Sequence, residues 1–296
     1  MLINNFLYIL QHCFSKIYER SSILKNIDYI IFLCIVLVLV SSTFMTSDSI
    51  GHFALFGIIL TCIKLITKPK VSLSLSVAEK FLLLYFLIVI ISVAGSSYLC
   101  LSLKGFSKTL IYLGFYATCV EYFKNNRGNI KYVFILLALL ALGQSLIALK
   151  QNFSSVGEIS GWQDVSHINP EDVMTRVYGS VKPYNPNLFG GYLLSVIPSA
   201  LILFSPVGVL SPALVLSVVG TDSVIDGSSP DVVLFLLPFV NKHYKLSIIG
   251  LVCFVLVSIS LILTGCRGAY IGLFFELLLI GFSSMKCSLS GHKILK

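Results

Sequence analysis

The chain has 296 residues, of which 56% are hydrophobic and only 11% charged, with a formal net charge of +8 and a mean hydropathy of +0.93. Soluble domains carry about 25% charged residues, so a chain this apolar cannot cover its surface in water and reads as one that uses lipid as solvent. The positive balance then reports loop positions across a bilayer, and with no interleaving of aromatic and basic residues it excludes a nucleic-acid partner.

Residues 1–27 set Lys16, Arg20 and Lys25 among Phe6, Leu7, Leu10, Phe14 and Ile17 at roughly helical spacing, which predicts a cytoplasmic amphipathic segment at the membrane surface. Without a short apolar run and a small-residue cleavage site, it is not a signal peptide. Five apolar segments follow within residues 28–150, at 28–47, 50–67, 81–98, 105–123 and 131–150. Each has about the 15–20 residues that a crossing needs. A polar stretch at 151–186 predicts an outer loop. It holds Glu158, Asp164, Glu171, Asp172, Trp162 and His167, any of whose acid–base groups can serve as a general base or simply be solvated. Asn152-Phe153-Ser154 is a weak match to a glycosylation sequon.

Region 187–285 adds crossings at 187–205, 246–265 and 268–285, with an insertion at 206–240 whose two short apolar runs flank three aspartates. Residues 286–296 form a basic cytoplasmic tail. The expected fold is therefore an all-α polytopic bundle of about eight transmembrane helices. Six basic residues (Lys104, Lys108, Lys150, Arg176, Lys182 and Arg267) fall outside under this arrangement and the other 15 inside, which puts both termini in the cytoplasm. The chain is thus expected in a plasma or inner membrane, with membrane lipid as its first partner.

No pattern calls for a cofactor, and no His/Cys/carboxylate spacing matches a metal site. Of the eight cysteines, Cys34, Cys62, Cys119 and Cys253 lie in apolar runs as small hydrophobes. Cys100 and Cys266 fall near the outer face, where a disulfide between them can form.

The most informative stretch runs from Thr175 to Pro198, TRVYGSVKPYNPNLFGGYLLSVIP. Asn185 is a good N-cap, Pro186 suits the first helical position, and the positive helix end faces a loop carrying Arg176 and Lys182, with Asn187 beside it. This arrangement suits an anion. Arg267, in LTGCRGAYIG, marks a second helix junction on the same face. Its guanidinium fork suits phosphate oxygens, although an arginine snorkelling between two helices has the same sequence signature. Lys182 also fits a solvated loop charge. Glu276 lies about 13 Å along its helix from Arg267, where a carboxylate costs a few kcal/mol unless protonated or paired, and so is a candidate for substrate binding. Gly190, Gly191, Gly265, Gly268 and Gly272 are read as sites of close helix approach.

Two blocks, TRVYGSVKPYNPNLFGGYLLSVIP and LILTGCRGAYIG, resemble the O-antigen ligase and polymerase-like membrane proteins, most nearly the cyanobacterial branch described as bicarbonate transporters. Weaker similarity runs through YFLIVIISVAGSSY, GFSKTLIYLGFY and GQSLIALKQNF, covering most of residues 80–282 apart from 206–240. The resemblance implies a bacterial inner-membrane enzyme of ligase or glycosyltransferase type. It would move a glycan from a polyprenyl-diphosphate carrier at the outer face, with Arg267 and Arg176 stabilising the diphosphate and Asn185 and Asn187 lining the same pocket; Lys182 and Glu276 stay substrate-binding candidates on the positions given above. The family's serine before the arginine is Cys266 here, and the 206–240 insertion is longer than usual. No residue corresponds to the family's catalytic histidine, because His292 lies in the basic tail. The chain thus looks like the front portion of a family member, or a shortened one. Transport of bicarbonate or another small anion, and a non-catalytic paralogue, are the alternative expectations.

Overall fold

A computed structural model describes residues 2–68, 77–154, 176–204 and 244–279. Residues 155–175 of the expected outer loop, with Trp162 and His167, the 206–240 insertion and the tail at 286–296 lie outside the described residues. Those residues are helical apart from turns, with no strand among them. Two helices, Ser47–Thr67 and the run Arg127–Asn152, are long and apolar enough to cross a membrane, and Ile27–Ser41 and Ile248–Leu263 are shorter apolar segments. The chain divides into two compact units, which are described separately.

The first unit comprises α1 (Leu2–Arg20), α2 (Ser22–Lys25), α3 (Ile27–Ser41), α4 (Ser47–Thr67), α5 (Val77–Ala94) and α6 (Leu99–Asn125), closed by a 3-10 turn at Arg127–Asn129. The N-terminal segment is helical, as its periodicity predicts, but it breaks where the Ser21 hydroxyl caps α2 by accepting from the Leu24 N–H. It also does more than lie on a surface: Gln11, buried, donates through Nε2 to the Leu65 carbonyl of α4 at 3.0 Å.

Helix α3 stops at Ser41 rather than at 47. The Ser41 hydroxyl turns back to the Leu37 carbonyl at 2.6 Å, and Ser42-Thr43 after it offers the backbone alternative partners to a continuing helix. At 15 residues it is about 22 Å long, short of the roughly 30 Å of a hydrocarbon core. Close approach holds the unit together: a Cβ on Gly57 would sit 3.3 Å from Cys34 Cβ, and one on Gly114 2.8 Å from Ile58 Cδ1. Helix α5 is the least covered, with Phe81 67% and Ile91 71% exposed.

Lys64, counted above with the cytoplasmic charges, is fully buried in this unit. Its Nζ is 2.8 Å from Asp28 Oδ1 and 3.7 Å from Glu121 Oε1, while Lys68 approaches Asp28 Oδ2 at 3.3 Å. These four side chains tie the start of α3 and the ends of α4 and α6 at one end of the unit. Sequence counting treats a lysine near a helix end as solvated because long side chains usually snorkel; here two carboxylates from other helices meet it instead.

The second unit comprises residues 42–46, α7 (Ile130–Asn152), the loop 176–185, α8 (Pro186–Phe204), α9 (Tyr244–Leu263) and α10 (267–279). Its core joins Ala141 and Ala148 of α7, Phe189, Leu193 and Ile197 of α8, Val257 and Leu261 of α9, and Ala269 of α10, together with Val177 and Val181 from the loop. Small residues on α7 let bulky ones on α8 and α9 fill the centre, the arrangement that allows helices to close up without a solvent-driven force between them.

Candidate functional site

The site lies at one end of the second unit, where α7 and α9 finish and α8 and α10 begin. The two helix starts at this end are each set by short-range features. Asn185 is the N-cap of α8: its Oδ1 accepts from the Asn187 N–H at 2.8 Å and its carbonyl from the Phe189 N–H at 2.9 Å. Pro186 follows at the first helical position, where a missing N–H leaves nothing unsatisfied.

On the other side, α9 unwinds at Thr264-Gly265. The buried Thr264 hydroxyl donates to the Leu261 carbonyl at 2.7 Å and accepts from the Cys266 N–H at 3.2 Å. Gly265 takes φ +60, a left-handed conformation that glycine adopts without steric cost. Cys266 then occupies the N-cap position of α10, its carbonyl accepting from the Ala269 and Tyr270 N–H groups. A serine there would also cap through its side chain. With cysteine, the Thr264 hydroxyl organises the turn instead.

Arg176 joins the two helix starts. Its Nε donates to the Thr264 carbonyl and its Nη2 to Asn187 Oδ1 at 2.9 Å. The Val177 N–H reaches the Leu263 carbonyl at 3.4 Å. The guanidinium lies so close to the turn that a Cβ on Gly265 would be 3.0 Å from Arg176 Nε. Hydrogen bonds from a charged donor contribute about 1.5–3 kcal/mol each. Arg176 therefore works as a half-buried brace as much as a free charge.

Arg267, two residues beyond Gly265, opens α10 and is exposed. Among the described residues no carboxylate pairs with its guanidinium. The first N–H groups of a helix have no intrahelical partner, and the helix dipole favours negative charge beside them. Both arginines thus come to the same end of this unit, one braced and one presented to the surroundings, next to the N-termini of α8 and α10.

The loop that delivers Arg176 is held by two glutamines on α7, one heptad apart and so on one face. Gln151 Oε1 accepts from the Tyr178 and Gly179 N–H groups at 3.2 and 2.9 Å, and its Nε2 donates to the Gly179 carbonyl at 2.9 Å. Gln144 Oε1 accepts from the Ser180 N–H at 3.0 Å, and its Nε2 donates to Ser180 Oγ at 2.6 Å. Ser180 in turn donates to the Thr43 carbonyl at 2.9 Å. Gly179, at φ +60, lies where a Cβ would meet Phe189 Cε2 at 2.7 Å and Gln144 Oε1 at 2.9 Å. Sequence reasoning missed both glutamines. The only signal available was a pair of amides seven apart on an apolar helix, where buried polar groups need partners.

The remaining expected site residues are not drawn in. Lys182 is exposed and precedes a cis Lys182-Pro183 bond. Glu276 lies nine residues into α10, about 13 Å from Arg267 along the axis, and among the described residues its buried Oε2 has no hydrogen-bond partner. The glycines divide. A Cβ on Gly190 would come within 2.8 Å of Cys266 Cβ, and one on Gly272 within 2.5 Å of Leu194 Cδ2, so these two allow helices to touch. Among the described residues, nothing lies within 4 Å of a Cβ placed on Gly191 or Gly268, so no close helix approach is seen at these two. The described cysteines, Cys100 and Cys266 included, are free thiols. Comparison with protein-family models, with curated proteins and with solved structures found no match to this chain.

Proposed function

We propose that the chain is a multi-pass membrane protein of O-antigen ligase-like type whose arginine junction binds the diphosphate of a polyprenyl-linked glycan. The observation that carries this reading is the brace between Arg176, Thr264 and Asn187, which brings the two resemblance blocks to one junction and leaves Arg267 beside two helix N-termini. A diphosphate offers the dense negative charge and multiple acceptor oxygens that guanidinium forks and helix N–H groups match.

In glycan transfer, an acceptor hydroxyl oxygen bonds to the anomeric carbon as the bond from that carbon to the diphosphate breaks. The departing diphosphate keeps the bonding electron pair. Arg267 and the positive helix ends are placed to stabilise that charge as it develops. The hydroxyl proton passes to a base, for which His167 and the loop carboxylates are the sequence candidates.

Binding of a short-chain polyprenyl diphosphate to the full chain in nanodiscs tests the reading. Arg267→Ala, at an exposed position, is expected to weaken binding about tenfold to a hundredfold, the loss of charge-assisted hydrogen bonds worth about 1.5–3 kcal/mol, without lowering thermal stability. Unchanged affinity in that variant would remove the proposal. Bicarbonate flux into proteoliposomes that depends on Arg267 would replace diphosphate binding with small-anion transport, which the same charges also fit.

A further inference from the structure

Helix α1 packs against α4 along one stripe. Gln11, Ser15 and Tyr18, spaced by four and three residues, share that face. Gln11 is buried and donates to the Leu65 carbonyl at 3.0 Å, while Ser15 and Tyr18 are half-buried. The other faces are open from Tyr8 onward. On one flank Phe14 and Ile17 are 40% and 52% exposed, and around the far side His12, Lys16, Glu19 and Arg20 are exposed as well. Leu65 lies in the last turn of α4 (Ser47–Thr67), one of the helices long and apolar enough to cross a membrane. A helix fastened to the end of such a crossing sits at headgroup depth. We infer that α1 and the cations around it form a docking face for anionic phospholipid headgroups, with Phe14 and Ile17 entering the acyl boundary and Lys16, Arg20 and Lys25 meeting the phosphates.

The charge at this end of the unit selects the occupant. Lys16 and Arg20 on α1, Lys25 on α2, Lys80 in the first turn of α5 and Arg127 just past α6 are all exposed. Among the described residues none of these five is in an ion pair. The carboxylates close by do not offset them. Asp28 and Glu121 are taken up by Lys64 and Lys68, and Glu79 is only half-exposed, which leaves Glu19 as the exposed acid. An apolar flank beside unpaired cations binds a bilayer through buried apolar area together with attraction to anionic lipid. A zwitterionic headgroup brings its own ammonium, which these cations repel, whereas an anionic one brings phosphate alone for them to meet. An acidic soluble protein would also match the charge, but it has no use for an apolar flank at the depth where α4 ends.

The proposal rests on residence in a bilayer and not on glycan-carrier binding, and the experiment separates the two. The full chain is first tested for retention in membranes washed at alkaline pH. It is then placed in nanodiscs of phosphatidylcholine, with or without phosphatidylglycerol, carrying a spin label on the exposed Cys13. The other cysteines are changed to alanine, except the buried Cys34 and Cys253. Accessibility of the label to oxygen, against that to a water-soluble nickel chelate, reads the ratio of immersed to aqueous α1. Phosphatidylglycerol should raise that ratio, and molar salt, where the Debye length falls to about 3 Å, should reverse the gain. Lys16→Gln, Arg20→Gln and Lys25→Gln should each lower the ratio about fivefold in phosphatidylglycerol, the preference that one cation near an anionic surface carries. Glu19→Gln should raise it. The salt comparison needs no substitution in the face, so a variant that fails to fold does not decide the outcome. Equal ratios in the two lipids, or a ratio in phosphatidylglycerol unmoved by molar salt, overturn the docking face while leaving the membrane reading intact. Release of the chain by the alkaline wash overturns both.

Discussion

Replacing Lys64 by methionine tests how much of the first unit depends on its buried charges. The lysine side chain is 1% exposed, and it neutralises Asp28 at 2.8 Å and Glu121 at 3.7 Å. Methionine keeps the volume but removes the charge. Asp28, 24% exposed, retains Lys68 at 3.3 Å. Glu121, only 8% exposed, is left with the Asn125 amide at 3.2 Å. Removing one member of a buried ion pair costs about 3–5 kcal/mol because the other charge stays desolvated; the residual partners place the cost near the lower end, about 3 kcal/mol. At about 2–4 °C per kcal/mol, the melting temperature should fall by about 6–12 °C.

The assay can use the chain's own thiols. Cys34, 3% exposed and on α3, becomes reactive to a thiol dye only when the unit opens; the other seven cysteines, of which Cys13, Cys62 and Cys100 are exposed and Cys119 and Cys266 partly so, are replaced by serine beforehand. The second arm is Lys64→Met combined with Glu121→Gln, which removes the stranded charge. The double variant should recover part of the loss, giving a coupling energy of about 1 kcal/mol or more. A melting temperature unchanged in Lys64→Met, or strictly additive effects in the double variant, would refute the claim that these charges support one another.

Gln144→Leu should loosen the loop that carries Arg176, because it leaves the Ser180 N–H and hydroxyl without their amide partner, at about 1–3 kcal/mol per stranded group. Faster amide hydrogen exchange at residues 177–181, with exchange across the first unit unchanged, is the expected result. Gly190→Ala should destabilise by about 1–3 kcal/mol through overpacking, because its Cβ meets Cys266 Cβ at 2.8 Å, whereas Gly191→Ala, with nothing within 4 Å, should be neutral or slightly stabilising. Thermal melts of the two variants side by side decide whether α8 and α10 touch at Gly190.

The helical segments were largely legible from composition and period, although α3 ends at Ser41 rather than at 47, α6 begins at Leu99 rather than at 105 and the break before α2 was not foreseen; an apolar run of about 20 residues has few other stable conformations when its backbone must satisfy itself. The N-cap of α8 was equally legible, because Asn-Pro-Asn acts over three or four residues of chain. Lys64, Gln144 and Gln151 were not legible. Each looks like a polar residue in an apolar helix, and its meaning depends on partners 36, 57 or 27 positions away in the chain, at Ser180, Glu121 and Tyr178. Arg176 shows the division within one residue: the sequence marked it as a cation beside a helix start, but only tertiary structure made it a brace to the Thr264 carbonyl, 88 residues on. Local spacing governs helices and caps because those bonds close within a few residues. Which buried polar groups find each other is settled by the packing of helices distant in sequence, where leaving a group unpaired costs more than the pairing itself contributes.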